Sequence, residues 1–85
     1  MKKPVGKISH YFGHLGVAVL ELSDALRNGE KIEVVNAEGQ TVLTQIVSSM
    51  QIDCKQVAEA KPGQTIGLKV ATKLHPGNAV LKVIA

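Results

Sequence analysis

The sequence predicts an all-β fold, a closed antiparallel β-barrel of six or seven strands, and three observations carry that expectation. Polar and apolar residues alternate with a period of two along most of the chain. Turn formers recur about every ten residues, as expected where short strands follow one another, at "GHLG", Gly29, "NAEG", Pro62-Gly63 and "HPGN". No helical period lasts longer than one turn. Residues 1–85 make one domain. A chain of this size buries roughly 60% of its unfolded surface, enough for one modest core. Tyr11 and Phe12 are the only aromatics, so that core is built from aliphatic side chains.

Val5 to Phe12 reads as the first strand, with Ile8, His10 and Phe12 on one face and Lys7, Ser9 and Tyr11 on the other. Gly13 to Gly16 reverse the chain. Val17 to Leu22 is nearly continuous in apolar residues, the pattern of a strand covered on both faces. "SDALRNGEK" predicts a turn of helix, capped at Ser23 or Asp24 and stopped at Gly29. Lys31 to Asn36 is a strand, and the polar loop Asn36 to Gly39 suits a hairpin. Thr41 to Lys55 is long enough for one extended strand bent near Ser48-Ser49. Strands over Thr65–Ala71 and Ala79–Ile84 follow the Pro62-Gly63 and His75–Asn78 turns.

Several function classes find no support in the residues. With 45% hydrophobic and 20% charged residues the composition is globular. "MKKPVGKISHYF" lacks the apolar segment of a secretory signal, and "GVAVL" is far too short to span a bilayer, so a soluble cytoplasmic protein with no membrane contact is expected. Cys54 is the single cysteine, and the alternation Met50, Ile52, Cys54 places it on the apolar face as a small core hydrophobe. His10 and His14 would align on a helix but lie in a strand and a glycine turn with no acid nearby, so no metal site is expected. No serine has the context of a nucleophile, and Glu30 with Glu33 and Asp53 with Glu59 read as solvated positions rather than an acid–base pair. No phosphate-binding glycine loop precedes a helix, so neither nucleotide nor other cofactor is expected. The chain reads as a non-enzyme.

The net charge of +3 is unevenly distributed. Lys2, Lys3 and Lys7 stand without an acid in residues 1–20. Residues 21–50 are acidic through Glu21, Asp24, Glu30, Glu33 and Glu38. Residues 51–85 carry five lysines against Asp53 and Glu59. Two readings follow: an ordinary solvated surface, or two basic ends that meet in space as one face for phosphate or an acidic partner.

A run of short motifs resembles the second domain of translational GTPases of the elongation factor Tu and 1-alpha type. Ser49, Met50-Gln51-Ile52, Val57, Glu59-Ala60, Pro62-Gly63-Gln64, Ile66-Gly67-Leu68 and Val70 match its most diagnostic segment. Val5-Gly6-Lys7-Ile8, Gly16-Val17-Ala18, Leu26 to Ile32 and His75 to Val80 follow the rest of its frame in order. The resemblance implies a closed barrel that packs on a GTPase domain and contacts the ribosome or aminoacyl-tRNA. The GTPase domain itself has no counterpart in these residues, so elongation activity does not carry over. Small translation-factor-like proteins have this design, and a similar barrel ends some collagenase-like peptidases.

The expectation that follows is a non-catalytic binding module associated with tRNA, ribosomal RNA or ribosomal protein. Lys7, Lys55, Lys61, Lys69 and Lys73 are its candidate contacts. The alternative is a protein-interaction subunit that docks on a separate GTPase or peptidase-like enzyme, or on itself.

Overall fold

The computed structural model describes residues 1–84 and is all-β, with no helix among them. Ten strands form in chain order: β1 (Lys2–Phe12), β2 (Val17–Leu22), β3 (Leu26–Arg27), β4 (Lys31–Val35), β5 (Thr41–Ile46), β6 (Met50–Ile52), β7 (Lys55–Val57), β8 (Glu59–Ala60), β9 (Thr65–Lys69) and β10 (Ala79–Val83). Eight build one antiparallel sheet in the order β5-β4-β10-β1-β2-β9-β6-β7, and β3 pairs with β8 as a separate ribbon. One core cluster draws on all ten strands, with Leu20, Leu26, Ile32, Met50, Ile66, Leu68 and Val80 fully enclosed. It is aliphatic, as the composition requires.

The expected ladder closure is not found. Among the described residues no strand pairing joins β5 to β7, so the sheet is open along its hydrogen-bonded order. One side chain of β5 instead reaches the end of β9. Gln45 of β5 donates from Nε2 to the Lys69 carbonyl at 2.8 Å and accepts at Oε1 from the Ala71 N–H at 3.1 Å. A side-chain amide thereby presents the donor and acceptor that a strand backbone would offer.

Three local expectations are corrected. The Ser23–Lys31 segment is not helical: Leu26 is buried opposite Ala60, and Arg27 pairs with Glu59, so the two-strand ribbon takes the place of the helical turn. Thr41–Lys55 is not one strand, because Val47 leaves the sheet to exchange backbone hydrogen bonds with Gly29 and Glu30. The chain then forms a tight hairpin, β6–β7, in which Ile52 faces Lys55 and only Asp53 and Cys54 lie between. Both have positive φ, 51° and 64°, the backbone of a two-residue type I′ turn. Cys54 is therefore exposed at a hairpin tip instead of buried in the core.

The first hairpin holds another correction. The β1–β2 register slips between Ile8 and His10, leaving Ser9 as an extra residue on β1. A bulge shifts every later side chain to the opposite face. Tyr11, opposite buried Ala18, packs on the core, whereas His10 and Phe12, opposite Val19 and Val17, turn outward. Strand β2 is likewise one-sided: Ala18, Leu20 and Leu22 are buried, Val17 and Val19 half-buried, and Glu21 exposed.

Candidate functional site

The clearest anomaly on the surface is the tip of the β1–β2 hairpin. The chain's single Phe is 49% exposed and Leu15, in the adjoining turn, is 64% exposed. Phe12 stacks on His10, with ring centroids 6.3 Å apart and planes 9° from parallel. The turn is held by Leu15 and Gly16 N–H groups donating to the Phe12 carbonyl at 3.2 and 2.9 Å. Both apolar side chains are thus presented by an ordered hairpin.

Leu15 also forms the end of a groove of about 370 Å³ lined by Val17, Ser49, Gln51, Gln56, Gly67 and Lys69. The strand registers explain its shape. Gly67 of β9 lies opposite Val19 on one side and Gln51 on the other, and Lys69 lies opposite Val17. With no side chain at Gly67, the backbone of β9 becomes the floor; a Cβ there would sit 3.4 Å from Val17 Cγ1. One wall is aliphatic, from Leu15 and Val17. The other is polar, from Ser49, Gln51 and Gln56, with Gln56 Nε2 3.4 Å from Ser49 Oγ. Lys69 is the one charged residue among those lining it.

The five lysines expected to act together are not gathered in one cleft. Lys69 borders this groove and a shallower one beside Gln45, Ile46, Ser48 and Val70. Lys7 borders a separate cleft of about 330 Å³ with Pro4, Gly6, Glu21, Leu22 and Ala79. Lys7 is paired opposite Glu21 and Lys69 opposite Val17, the two ends of β2, positions about 13 Å apart at the usual rise per strand residue. Lys55, Lys61 and Lys73 are exposed and line none of these three grooves.

The two basic ends of the sequence do meet, β1 beside β10 with Lys3 opposite Lys82, but three of their lysines are engaged by the acidic middle. Lys2 pairs with Glu33 at 2.8 Å, Lys3 with Asp24 at 2.7 Å, and Lys82 with Glu30 at 3.4 Å. The Lys3 ammonium beside Asp24, helped by the Ala25 N–H on Oδ1, holds that carboxyl below its ordinary pKa. Lys2 does the same for Glu33. None of Lys7, Lys55, Lys61, Lys69 or Lys73 belongs to an ion pair among the described residues.

No group of three or more His, Cys, Asp or Glu side chains converges on a metal-sized site among the described residues. His10 and His14 are both exposed at the hairpin. No helix among them is long and apolar enough to cross a membrane.

With the geometry established, known proteins can be compared. No protein-family model matches the chain. A protein of Methanocaldococcus jannaschii, named an uncharacterized protease, is 31% identical over 81 residues, which cover 93% of this chain. The chain spans only 19% of that relative's length. Among solved structures, it is similar to the C-terminal domain of a Geobacillus thermoleovorans protein described as a U32 peptidase. That match has a TM-score of 0.86 at 23% identity and covers 96% of this chain and 93% of that domain. The selenomethionine variant of the same domain matches with a TM-score of 0.83 at 24% identity, covering 92% and 96%. These likenesses establish the fold.

They also correct the resemblance to translation factors: the neighbours in sequence and structure are a protease and a U32 peptidase domain, not elongation factor domains. The short motifs that carried the resemblance mark turns and strand starts. Gly29, Gly63 and Gln64, for instance, sit in reversals that an antiparallel sheet of short strands needs whatever it binds. The expectation of a translation elongation factor-like protein rested on that resemblance and falls with it.

Sequence reasoning missed Phe12 and Leu15. The available signal was two large apolar residues flanking Gly13 and Gly16 in a four-residue reversal, where exposure is the default.

Proposed function

We propose that this chain is a non-catalytic interaction module that docks on a peptidase-like protein. The observation that carries the reading is the pair of matches: nearly the whole chain corresponds to a fifth of an uncharacterized protease, and its fold recurs as the C-terminal domain of a protein described as a U32 peptidase. An appended domain of that kind meets the rest of its protein through a surface of its own. The exposed hairpin tip, which carries Phe12 and Leu15 in one turn, supplies the apolar anchors that such contacts use.

The test is direct association. The purified chain is mixed with a U32-type peptidase-like protein from its own source, and complex formation is followed by sedimentation and calorimetry. A stoichiometric complex that persists after nuclease treatment is the expected result. Absence of any complex at the highest soluble concentration overturns the reading.

A further inference from the structure

Three surfaces are candidates for the contact. The outer side of β10 is apolar, with Ala79, Leu81 and Val83 half-buried, but the Lys2–Glu33 ion pair reaches across it from β1 to β4 and covers it with the chain's own side chains. The cleft at Lys7 holds Glu21 as well, so its charge is internally balanced. The groove between Leu15 and Lys69 is neither covered nor balanced.

We infer that this groove seats an extended acidic segment of the partner protein, with an aliphatic side chain against Leu15 and Val17 and a carboxylate on Lys69. The inference rests on the docking reading and names its contact. Three features specify the occupant. Lys69 and Val17 are directly opposed on neighbouring strands, so their Cβ atoms lie about 5 Å apart. An extended peptide sends residues i and i+2 to the same side at about 7 Å, which suits one apolar and one anionic side chain landing on that pair. The polar wall of Ser49, Gln51 and Gln56 offers hydroxyl and amide groups that can exchange hydrogen bonds with a peptide backbone. Charge sets the sign: Lys69 has no ion-pair partner, no acid lines the groove, and Asp24, Glu30, Glu33 and Glu59 are engaged by other cations.

A nucleic acid fits poorly. A phosphate backbone needs several cations along one track, and only one reaches this groove. A lipid surface fits poorly too, because it calls for a broad apolar face with a basic fringe, whereas one wall here is uncharged and hydrogen-bonding.

The experiment uses two probes. First, the isotope-labelled chain is titrated with a blocked peptide repeating Leu-Ser-Glu-Ser, which places Leu and Glu at i and i+2 on one side, and separately with the matching Leu-Ser-Lys-Ser peptide. Amide shifts centred on Leu15, Gln51, Gly67 and Lys69, with the acidic peptide only, are expected. Shifts elsewhere, shifts with both peptides, or none overturn the inference. Second, Lys69→Glu and Leu15→Asp are measured in the complex with the peptidase-like protein, each expected to weaken it by about tenfold or more, with Lys61→Glu as a control near unity. Wild-type affinity in both groove variants overturns the groove while leaving docking intact. Peptide binding without any protein complex overturns docking while leaving the groove. Concentration-dependent shifts at the same amides without peptide would assign the groove to a second copy of the chain and overturn the acidic segment.

Discussion

Leu15 and Leu20 belong to one hairpin, five residues apart, and the fold treats them oppositely. Leu20 faces Ile8 across β1–β2 and Ile66 across β2–β9 and is completely enclosed. Leu15 stands in the turn, mostly in solvent, next to the chain's only Phe. The same side chain is core in one place and solvent-exposed in the other, and what separates them is the pairing of the strand. Where β2 is flanked on both edges by β1 and β9, its inward positions are sealed; past Val17 the ladder ends and side chains are released. Hydrophobicity alone does not distinguish a residue that holds the fold from one that holds a partner.

The widest break in that comparison comes from truncation. Leu20→Ala should cost about 2–5 kcal/mol in chemical denaturation, the range for a buried leucine in a tight core. Leu15→Ala should change stability by no more than about 0.5 kcal/mol yet weaken the partner complex. Equal stability losses for the two would mean that the hairpin tip is packed, and the distinction would collapse.

Gly6 sharpens the sealed side. A Cβ at Gly6 would collide with the Glu21 backbone carbonyl and lie 3.0 Å from Leu20 Cδ1. The barrier is backbone rather than a yielding side chain, so Gly6→Ala should destabilise by about 1–3 kcal/mol, the usual cost of overpacking. At Gly67, on the groove side, the nearest neighbour is the Val17 side chain at 3.4 Å. Gly67→Ala should therefore be milder in denaturation and stronger in its effect on peptide binding.

The β6–β7 turn predicts a gain. Asp53 and Cys54 hold left-handed backbone, which costs a residue with a Cβ about 1–2 kcal/mol and is cheapest for Gly, with Asn tolerated. Asp53→Asn with Cys54→Gly should raise stability by about 1 kcal/mol, read from the denaturation midpoint. In the parent protein Cys54 should react with a thiol reagent as fast as in a short peptide, since it is exposed. Protection under native conditions would restore it to the core.

The smallest effect is the response to acid. Asp24 and Glu33 have lowered folded-state pKa values, chiefly through Lys3 and Lys2. A depressed carboxylate stabilises the fold above its unfolded pKa, about 4, and that contribution is lost as pH falls below it through the folded value. Lys2→Met with Lys3→Met should flatten the acid limb of the stability–pH curve by lowering stability slightly at neutral pH, where the pairs contribute, and leaving it nearly unchanged below the folded pKa values. An unchanged acid limb would mean that these pairs contribute nothing.

Much of the fold was legible in the chain because its code is local. Period-two alternation marked β1 and β9, a near-continuous apolar run marked β2, flanking turn residues marked β4 and β10, and Gly29, Gly63 and Gly77 stood where the backbone has φ of 92°, 88° and 92°. The helical turn expected at Ser23–Lys31 failed because the burial of Leu26 against Ala60, more than thirty residues away, outweighed a weak local preference. The site was less legible. Lys69 was among the expected contacts, yet its neighbours Leu15, Gln51 and Gln56 come from turns and strands that only the sheet order brings together.

By itself the sequence determined an all-β chain with an aliphatic core, tight turns at its glycines and an uneven charge, since each of these follows from residue type and nearest neighbours. Tertiary structure decided the rest. One extra residue at Ser9 turned Phe12 outward and Tyr11 inward, and a two-residue turn moved Cys54 to the surface. Ion pairs between segments distant in sequence neutralised Lys2, Lys3 and Lys82. The reason is the two-fold period of a strand: a single-residue slip costs little locally but exchanges the two faces for every residue beyond it.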